Sequence, residues 1–404
     1  RARVQETKLE RLDAAIETWG LIAERFGEDG EAVDALDRLF ESTARYADLA
    51  ALLDRAASRE GHHLAQVRCR IGEVFERHLG RPADAARAFA GALEGDPRNE
   101  TARAGLARLA DVEEVAFTAV EGLAKAYLAA DEWEPVLALL EQRLALAADD
   151  AARLVLLKEA AQIQEHRAGA PAAALGTLGR AFAMAPMDER LELDVLRLGA
   201  LAGDAALLAD VLAAAAAAVS DPLRKSHLRA IEAKTREESL GDAAGAFAAY
   251  VEAFELNPTN LELARAVRRL GVDERLERAE AALAQASARE SVSDEILGLY
   301  ADVLRETQKP ALFAVLNRLA ARFPTHLDLL VEALAIAPEA ERRAALVTLY
   351  ERAAGLFARG ARASGTRTPE EVALDALDKL VAELEASGEA REAAGRLVEG
   401  ARLP

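Results

Sequence analysis

Histidine, cysteine and carboxylate side chains are the groups of this chain that could do chemistry, and one short segment brings them closest together. His62, His63 and Cys69 lie within eight residues of one another, and imidazole and thiolate groups are ligands that zinc binds well. A tetrahedral site needs a further well-placed donor, and Cys69 is the only cysteine. We therefore interpret the two histidines as polar residues of a turn, and the sequence predicts no metal site.

The sequence carries none of the common catalytic signatures. No G-x-x-x-x-G-K-[ST], G-x-G-x-x-G, H-E-x-x-H or G-x-S-x-G segment occurs, which removes the usual phosphate-loop, dinucleotide, zinc-protease and serine-hydrolase patterns. Among the 69 Asp and Glu residues, pairs such as Asp273 with Glu277, and Asp188 with Glu189, are typical of solvated or capping groups on helices. We predict that the protein is not an enzyme and holds no cofactor.

The charge of the chain narrows its partners. Lys and Arg number 50 against 69 acidic residues, a formal charge of −19, and such a surface repels phosphate backbones. Basic residues gather from Arg224 to Arg236, but Glu232 interrupts them, so we interpret that segment as a solvated face. The longest apolar run, Val211 to Val219, is far shorter than the roughly 20 residues of a membrane span. The sequence thus predicts neither nucleic acid binding nor a membrane span.

Composition predicts an all-α fold. The chain has 404 residues, of which 96 are Ala, and only 4% are aromatic, so strong helix formers dominate and strand formers are scarce. This length suits two or three domains or one long repeat array. With one cysteine no intrachain disulfide can form, which favours a cytoplasmic location and leaves a periplasmic one open. Because the chain begins without Met, we expect it to be a fragment of a longer protein.

Three segments of the chain overlay without a gap: 80–97, 169–186 and 241–258. In each, a Gly and a Pro stand 17 residues apart, with a small residue 5 after the Gly, a bulky one 9 after it and Ala 12 after it. These offsets place the side chains on one stripe of a helix, which the Gly precedes and the Pro ends. The shared positions are Gly80, Ala85, Phe89, Ala92 and Pro97; Gly169, Ala174, Leu178, Ala181 and Pro186; and Gly241, Ala246, Tyr250, Ala253 and Pro258.

This pattern resembles the second helix of a tetratricopeptide repeat (TPR), a unit of roughly 34 residues that forms a helical hairpin. The small position of the first helix is matched eight residues before each Gly, by Gly72, Ala161 and Ala233. The resemblance implies a right-handed superhelical solenoid of antiparallel helical hairpins. A second hairpin type is indicated by the 72 residues from Trp133 to Ala205, which give 36 residues per hairpin.

The same spacing predicts the domain organisation. The step from Pro97 to Pro186 is 89 residues, 17 more than the next step, and we place the extra residues near 99–115 as an added helix. Residues 1–338 are predicted to form the repeat array. Residues 339–404 are predicted to continue it as helices or to cap it, with a loop near 360–369 and a helix start signal at Thr368, before Pro369 and Glu371.

The resemblance implies a protein-binding function. We expect a non-enzymatic scaffold that binds a peptide, helix or partner protein on the concave face of the solenoid, and an acidic array favours a basic or apolar segment as the partner. The alternative is a structural spacer or oligomerisation arm within a larger envelope, motility or secretion assembly. Arg outnumbers Lys by 43 to 7, which, with the high Ala content, favours a GC-rich bacterial genome. The sequence names no partner-binding residue and no oligomeric state.

Overall fold

The computed structural model describes residues 2–7, 11–26, 30–57, 64–364 and 367–400. Every regular element within those ranges is helical, which confirms the predicted all-α class. His62 and His63 lie outside the described residues. None of the helices in the described ranges combines the length and the apolar character that crossing a membrane requires.

Two compact units divide the chain, Arg1–Gly203 and Asp204–Pro404. In the first unit, helices adjacent in sequence pack against each other as hairpins. Its helices are α1 (Ala2–Thr7), α2 (Leu12–Phe26), α3 (Gly30–Ser42), α4 (Tyr46–Ala57), α5 (Leu64–Arg77), α6 (Pro82–Gly95), α7 (Glu100–Leu109), α8 (Ala116–Ala129), α9 (Trp133–Ala138), α10 (Leu140–Leu146), α11 (Asp150–His166), α12 (Pro171–Met184) and α13 (Glu189–Ala202).

The second unit follows the same plan of neighbouring helices in contact. Its helices are α14 (Ala205–Ala218), α15 (Pro222–Leu240), α16 (Ala243–Leu256), α17 (Leu261–Leu270), α18 (Leu276–Ser287), α19 (Asp294–Thr307), α20 (Ala311–Arg322), α21 (Leu327–Ala335), α22 (Glu339–Ala358), α23 (Pro369–Ala386) and α24 (Ala390–Gly400). A short 3-10 turn, Asp273–Arg275, precedes α18.

Helix ends follow the local sequence. α23 begins at a capping box, in which the Thr368 hydroxyl accepts from the Glu371 N–H and the Glu371 carboxylate accepts from the Thr368 N–H. This reciprocal pair satisfies backbone donors that a helix start leaves open, and it confirms the predicted start signal. The segment 360–369 before it is irregular where it is described.

Residues 99–115, where the sequence predicts an added helix, contain α7 and a turn. α7 begins three residues after Pro97, just as α13 begins three after Pro186 and α17 three after Pro258. α7 is therefore a regular member of the repeat. Starts at 116, 133 and 150 for α8, α9 and α11 place the additional 17 residues at α9 and α10, later in the chain than predicted.

The region of the added helices is joined to its neighbours by a buried cation. Arg143 on α10 is 7% exposed and donates to Glu121 on α8 and to Glu159 on α11, with shortest N–O distances of 2.8 and 3.2 Å. Two carboxylates around one guanidinium offset the cost of removing its charge from water. Three helices of the first unit are thereby held in one arrangement.

Candidate functional site

The predicted repeat positions occupy equivalent places in the three hairpins α5–α6, α11–α12 and α15–α16. Gly80, Gly169 and Gly241 all have φ near +60°, a left-handed conformation that costs other residues about 1–2 kcal/mol. The alanines of the stripe are all completely buried: Ala85, Ala92, Ala174, Ala181, Ala246 and Ala253. Small side chains at these positions let the paired helices approach closely.

The bulky stripe residues Phe89, Leu178 and Tyr250 are also buried. Phe89 shows why: a Cβ added to Gly72 on α5 would lie 2.6 Å from its ring, and one added to Gly105 on α7 would lie 2.5 Å from it. The ring therefore lies between the first helix of its own hairpin and the first helix of the next.

The three prolines lie just beyond the ends of their helices, and a polar residue two positions later caps the next one. Asn99, Asp188 and Asn260 each accept a backbone N–H in the first turn of α7, α13 and α17. Asp188 is thus a capping group, as the sequence predicts. The Pro and the cap together fix where the next first helix begins.

A bidentate ion pair crosses between successive first helices in all three copies. The carboxylate is four residues before the repeat Gly, and the guanidinium is eleven residues after the repeat Pro. The pairs are Arg108 with Glu76, Arg197 with Glu165 and Arg269 with Glu237, and their Nη2 to Oε2 distances are 2.7, 2.9 and 2.9 Å. We call these the cross-helix pairs. The sequence analysis missed them, although the Glu and Arg recur at constant offsets.

Open grooves lie between the first helices that these pairs connect. The α11–α13 groove has a volume of about 380 Å³, with Leu178 at its floor and Gln162 and Arg190 among its walls. The α15–α17 groove, about 530 Å³, has Tyr250 at its floor and Lys234 among its walls. Both grooves therefore combine one bulky, mainly apolar floor residue with charged and polar walls, which is the composition of a peptide-binding cleft.

Electrostatics inside the α15–α17 groove are set by Tyr250 and Glu237. Burial raises the pKa of Tyr250 from 10.0 to about 12, and the nearby Glu237 carboxylate adds to the rise. The hydrogen bonds from Arg269 hold the pKa of Glu237 below its ordinary value. The Tyr250 hydroxyl is consequently a hydrogen-bond donor throughout the physiological range.

The groups considered for chemistry do not converge in the described structure. Cys69 is buried and donates to the Asn99 side chain at an S–O distance of 3.1 Å, and burial raises the pKa of its thiol to about 11. His78 stacks on Tyr46 at 3.8 Å between ring centres. Across the described residues, no group of three or more His, Cys, Asp or Glu side chains is placed to hold a metal ion.

The basic segment of α15 is internally paired rather than a freely solvated face. Glu232 is buried and accepts from Arg229 at 2.6 Å and from Arg236 at 2.8 Å. Arg229 and Lys225 also pair with Glu252 on α16. These cations therefore stabilise the α15–α16 hairpin. The interpretation as a solvated face was wrong because a buried carboxylate and a carboxylate from α16 face the same side of α15.

Taken together, the hairpins, their glycine ends and their alanine stripes make this chain an all-α, TPR-like helical repeat protein. No family model matches the chain, and no curated protein matches it. The right-handed sense of the superhelix stays a prediction.

Solved structures similar to this chain are helical assemblies and repeat domains. One is described as the structure of Naa15/Naa10 bound to HypK-THB, at 15% identity and a TM-score of 0.26; the match covers 99% of this chain and 62% of that one. A second is the P58(IPK) TPR domain, at 12% identity and 0.23, covering 87% and 95%. A third is a tetratricopeptide repeat protein from Parabacteroides merdae, at 16% and 0.20, covering 68% and 98%. TM-scores this low carry no argument, so the repeat class rests on the hairpins of this chain.

Proposed function

We propose that this chain is a non-enzymatic protein–protein interaction scaffold that binds a segment of a partner protein along its first helices. The observation that carries the proposal is the recurrence of one groove in both units, each with a bulky floor, charged walls and a cross-helix pair. A surface repeated in this way suits an extended or helical ligand. In the family that the chain resembles, this is the face that binds peptides.

The walls of both grooves offer side chains that a partner can engage. Arg190 in the α11–α13 groove and Lys234 in the α15–α17 groove are exposed, and neither forms a side-chain ion pair with the described part of the chain. Leu178 and Tyr250 supply apolar surface at the floors. With a net charge of −19, long-range attraction favours a basic segment, and the floors favour an apolar one.

The test uses the whole chain as bait in an extract of its native cells. Gln162→Trp and Lys234→Trp fill the two grooves from exposed wall positions, and Ala172→Trp, at an exposed position of α12 outside both grooves, is the matched control. We expect a partner that is captured by the wild type and by Ala172→Trp and is lost from the double groove variant. Equal capture by all three would contradict groove binding.

The alternative role, a spacer or oligomerisation arm in a larger bacterial assembly, is favoured by one face of α13. Leu193 and Leu201 lie two turns apart and are 67% and 59% exposed, and exposed apolar side chains on one helix face suit contact with another chain. Size-exclusion chromatography with light scattering distinguishes the roles. A mass that rises with concentration, and that Leu193→Glu abolishes, supports the arm; a constant monomer mass supports the scaffold.

A further inference from the structure

The largest groove described in the first unit lies away from the first-helix grooves, between α4, α5 and α6. Its volume is about 990 Å³. Its walls are built mainly from small side chains, with Ala47, Ala50 and Ala51 on α4 opposite Ala88 and Gly91 on α6. Walls of this kind let the backbone of a helix approach closely and bury apolar side chains against methyl groups.

The cations at this groove are already neutralised. Arg81 and Arg87 both pair with Asp84. Arg68 donates to the Gly91 carbonyl at 2.7 Å and lies 3.8 Å from Glu94. These contacts leave little positive charge to attract an acidic ligand.

An exposed aromatic side chain stands at the far edge of the groove. Thr118 on α8 lines the groove, and Phe117 directly before it is 57% exposed. Val112, in the turn that leads into α8, is 37% exposed. A phenylalanine left in water beside an alanine-lined groove is the kind of anchor that partner segments bury.

The same edge is strongly acidic. Asp111, Glu113 and Glu114 are exposed and form no ion pair with any residue that the structure describes. From Arg108 to Lys125 the chain contains no other basic residue. A ligand that reaches Phe117 therefore passes beside three carboxylates whose charge nothing in the described structure offsets.

We propose that this surface, the α4–α8 groove, docks a basic amphipathic helix of a partner protein. The apolar face of that helix packs on the alanine walls and on Phe117, and its Lys and Arg side chains face the acidic turn at 111–114. Charge complementarity selects this occupant over an acidic or a purely apolar segment. The inference rests on the proposed scaffold function but assigns a surface separate from the first-helix grooves.

The probe is a fluorescein-labelled peptide of Leu and Lys, about 18 residues long, with Leu on one helical face. A second peptide has Glu in place of Lys, and a third has the composition of the first without an apolar face. Fluorescence anisotropy with the whole chain measures each dissociation constant. We expect only the first peptide to bind well, and its affinity to fall at high salt because screening shortens the range of the attraction.

Matched variants locate the binding. Glu113→Lys with Glu114→Lys should weaken binding by about tenfold or more, and Phe117→Ala and Ala51→Trp should also weaken it. The controls Glu339→Lys with Glu341→Lys, which change the net charge equally at the exposed start of α22, and Ala172→Trp should leave it unchanged. Circular dichroism checks that each variant stays helical.

Two results would overturn the inference: equal affinity for the Glu peptide, or equal weakening by the two pairs of charge reversals. If Gln162→Trp with Lys234→Trp abolishes binding and the α8 variants do not, the α4–α8 groove is wrong while the scaffold function stands. If the α8 variants abolish binding and capture from extract fails with every variant, the surface stands and the first-helix grooves are wrong.

Discussion

Replacing Gly105 by Ala tests whether the ring of Phe89 is clamped between α5 and α7. The new Cβ would lie 2.5, 2.6 and 2.7 Å from three ring carbons, roughly 1 Å closer than carbon atoms normally approach. The ring cannot move away, because it is completely buried and a Cβ at Gly72 on the other side would meet it at 2.6 Å. Overpacking of this kind costs about 1–3 kcal/mol.

The matched control is Gly176→Ala on α12, where nothing lies within 4 Å of an added Cβ. Both variants gain helix propensity, about 1 kcal/mol for Gly to Ala, so their difference isolates the clash. We expect Gly105→Ala to be less stable than Gly176→Ala by about 1–3 kcal/mol, or roughly 2–12 °C in melting temperature. Thermal unfolding followed by circular dichroism at 222 nm measures both.

A rescue variant sharpens the test. Ala161 and Leu178 occupy in the second copy the places of Gly72 and Phe89 in the first, so the smaller Leu side chain accepts an Ala neighbour. Gly72→Ala with Phe89→Leu should therefore be more stable than the sum of the single changes predicts. If Gly105→Ala is as stable as Gly176→Ala, or if the double change is additive, Phe89 is not clamped and the packing argument fails.

The remaining predictions concern the turn, the cross-helix pairs and the buried tyrosine. Gly241→Ala places a side chain at φ +65° with nothing within 4 Å, so a loss of about 1–2 kcal/mol in urea unfolding is expected, and an unchanged midpoint would contradict the left-handed turn. The pKa of Glu165 is lowered by its hydrogen bond to Arg197, so the stability it contributes is present at neutral pH and is lost as the pH falls below 4.5; Arg197→Met should flatten this acid-side loss, whereas Arg190→Met should not. Because the pKa of Tyr250 is raised to about 12, its contribution holds below pH 10 and is lost between pH 10 and 12, by about 2–3 kcal/mol; equal alkaline losses in wild type and Tyr250→Phe would refute this.

The periodic part of the fold could be predicted from the sequence because it depends on local rules. A Gly that needs positive φ, an alanine stripe and a Pro that ends a helix recur at fixed offsets, so the hairpins at Phe89, Leu178 and Tyr250 could be read without coordinates. The capping box at Thr368 is equally local. Such features act over one or two helical turns, which a sequence window contains.

What the sequence analysis missed depends on contacts between distant residues. The Glu76–Arg108 pair joins residues 32 apart, and neither side chain stands out among the many charged residues. The position of the added helices was misplaced for a similar reason: the bulky pattern at Trp133 matches that at Ala205, whereas the cap and Arg offsets align α7 with α13. The α4–α8 groove is formed by parts of four helices, and no single segment shows it.

The cross-helix pairs separate the skeleton of each repeat from its lining. Glycine, proline, capping residue, glutamate and arginine fix the spacing of a module, while wall positions such as Gln162 and Lys234 carry none of that burden. Mutations can therefore retune one module's ligand preference without disturbing the next. Divergence by such independent steps lets a single ancestral unit, once duplicated, acquire a different specificity in every copy.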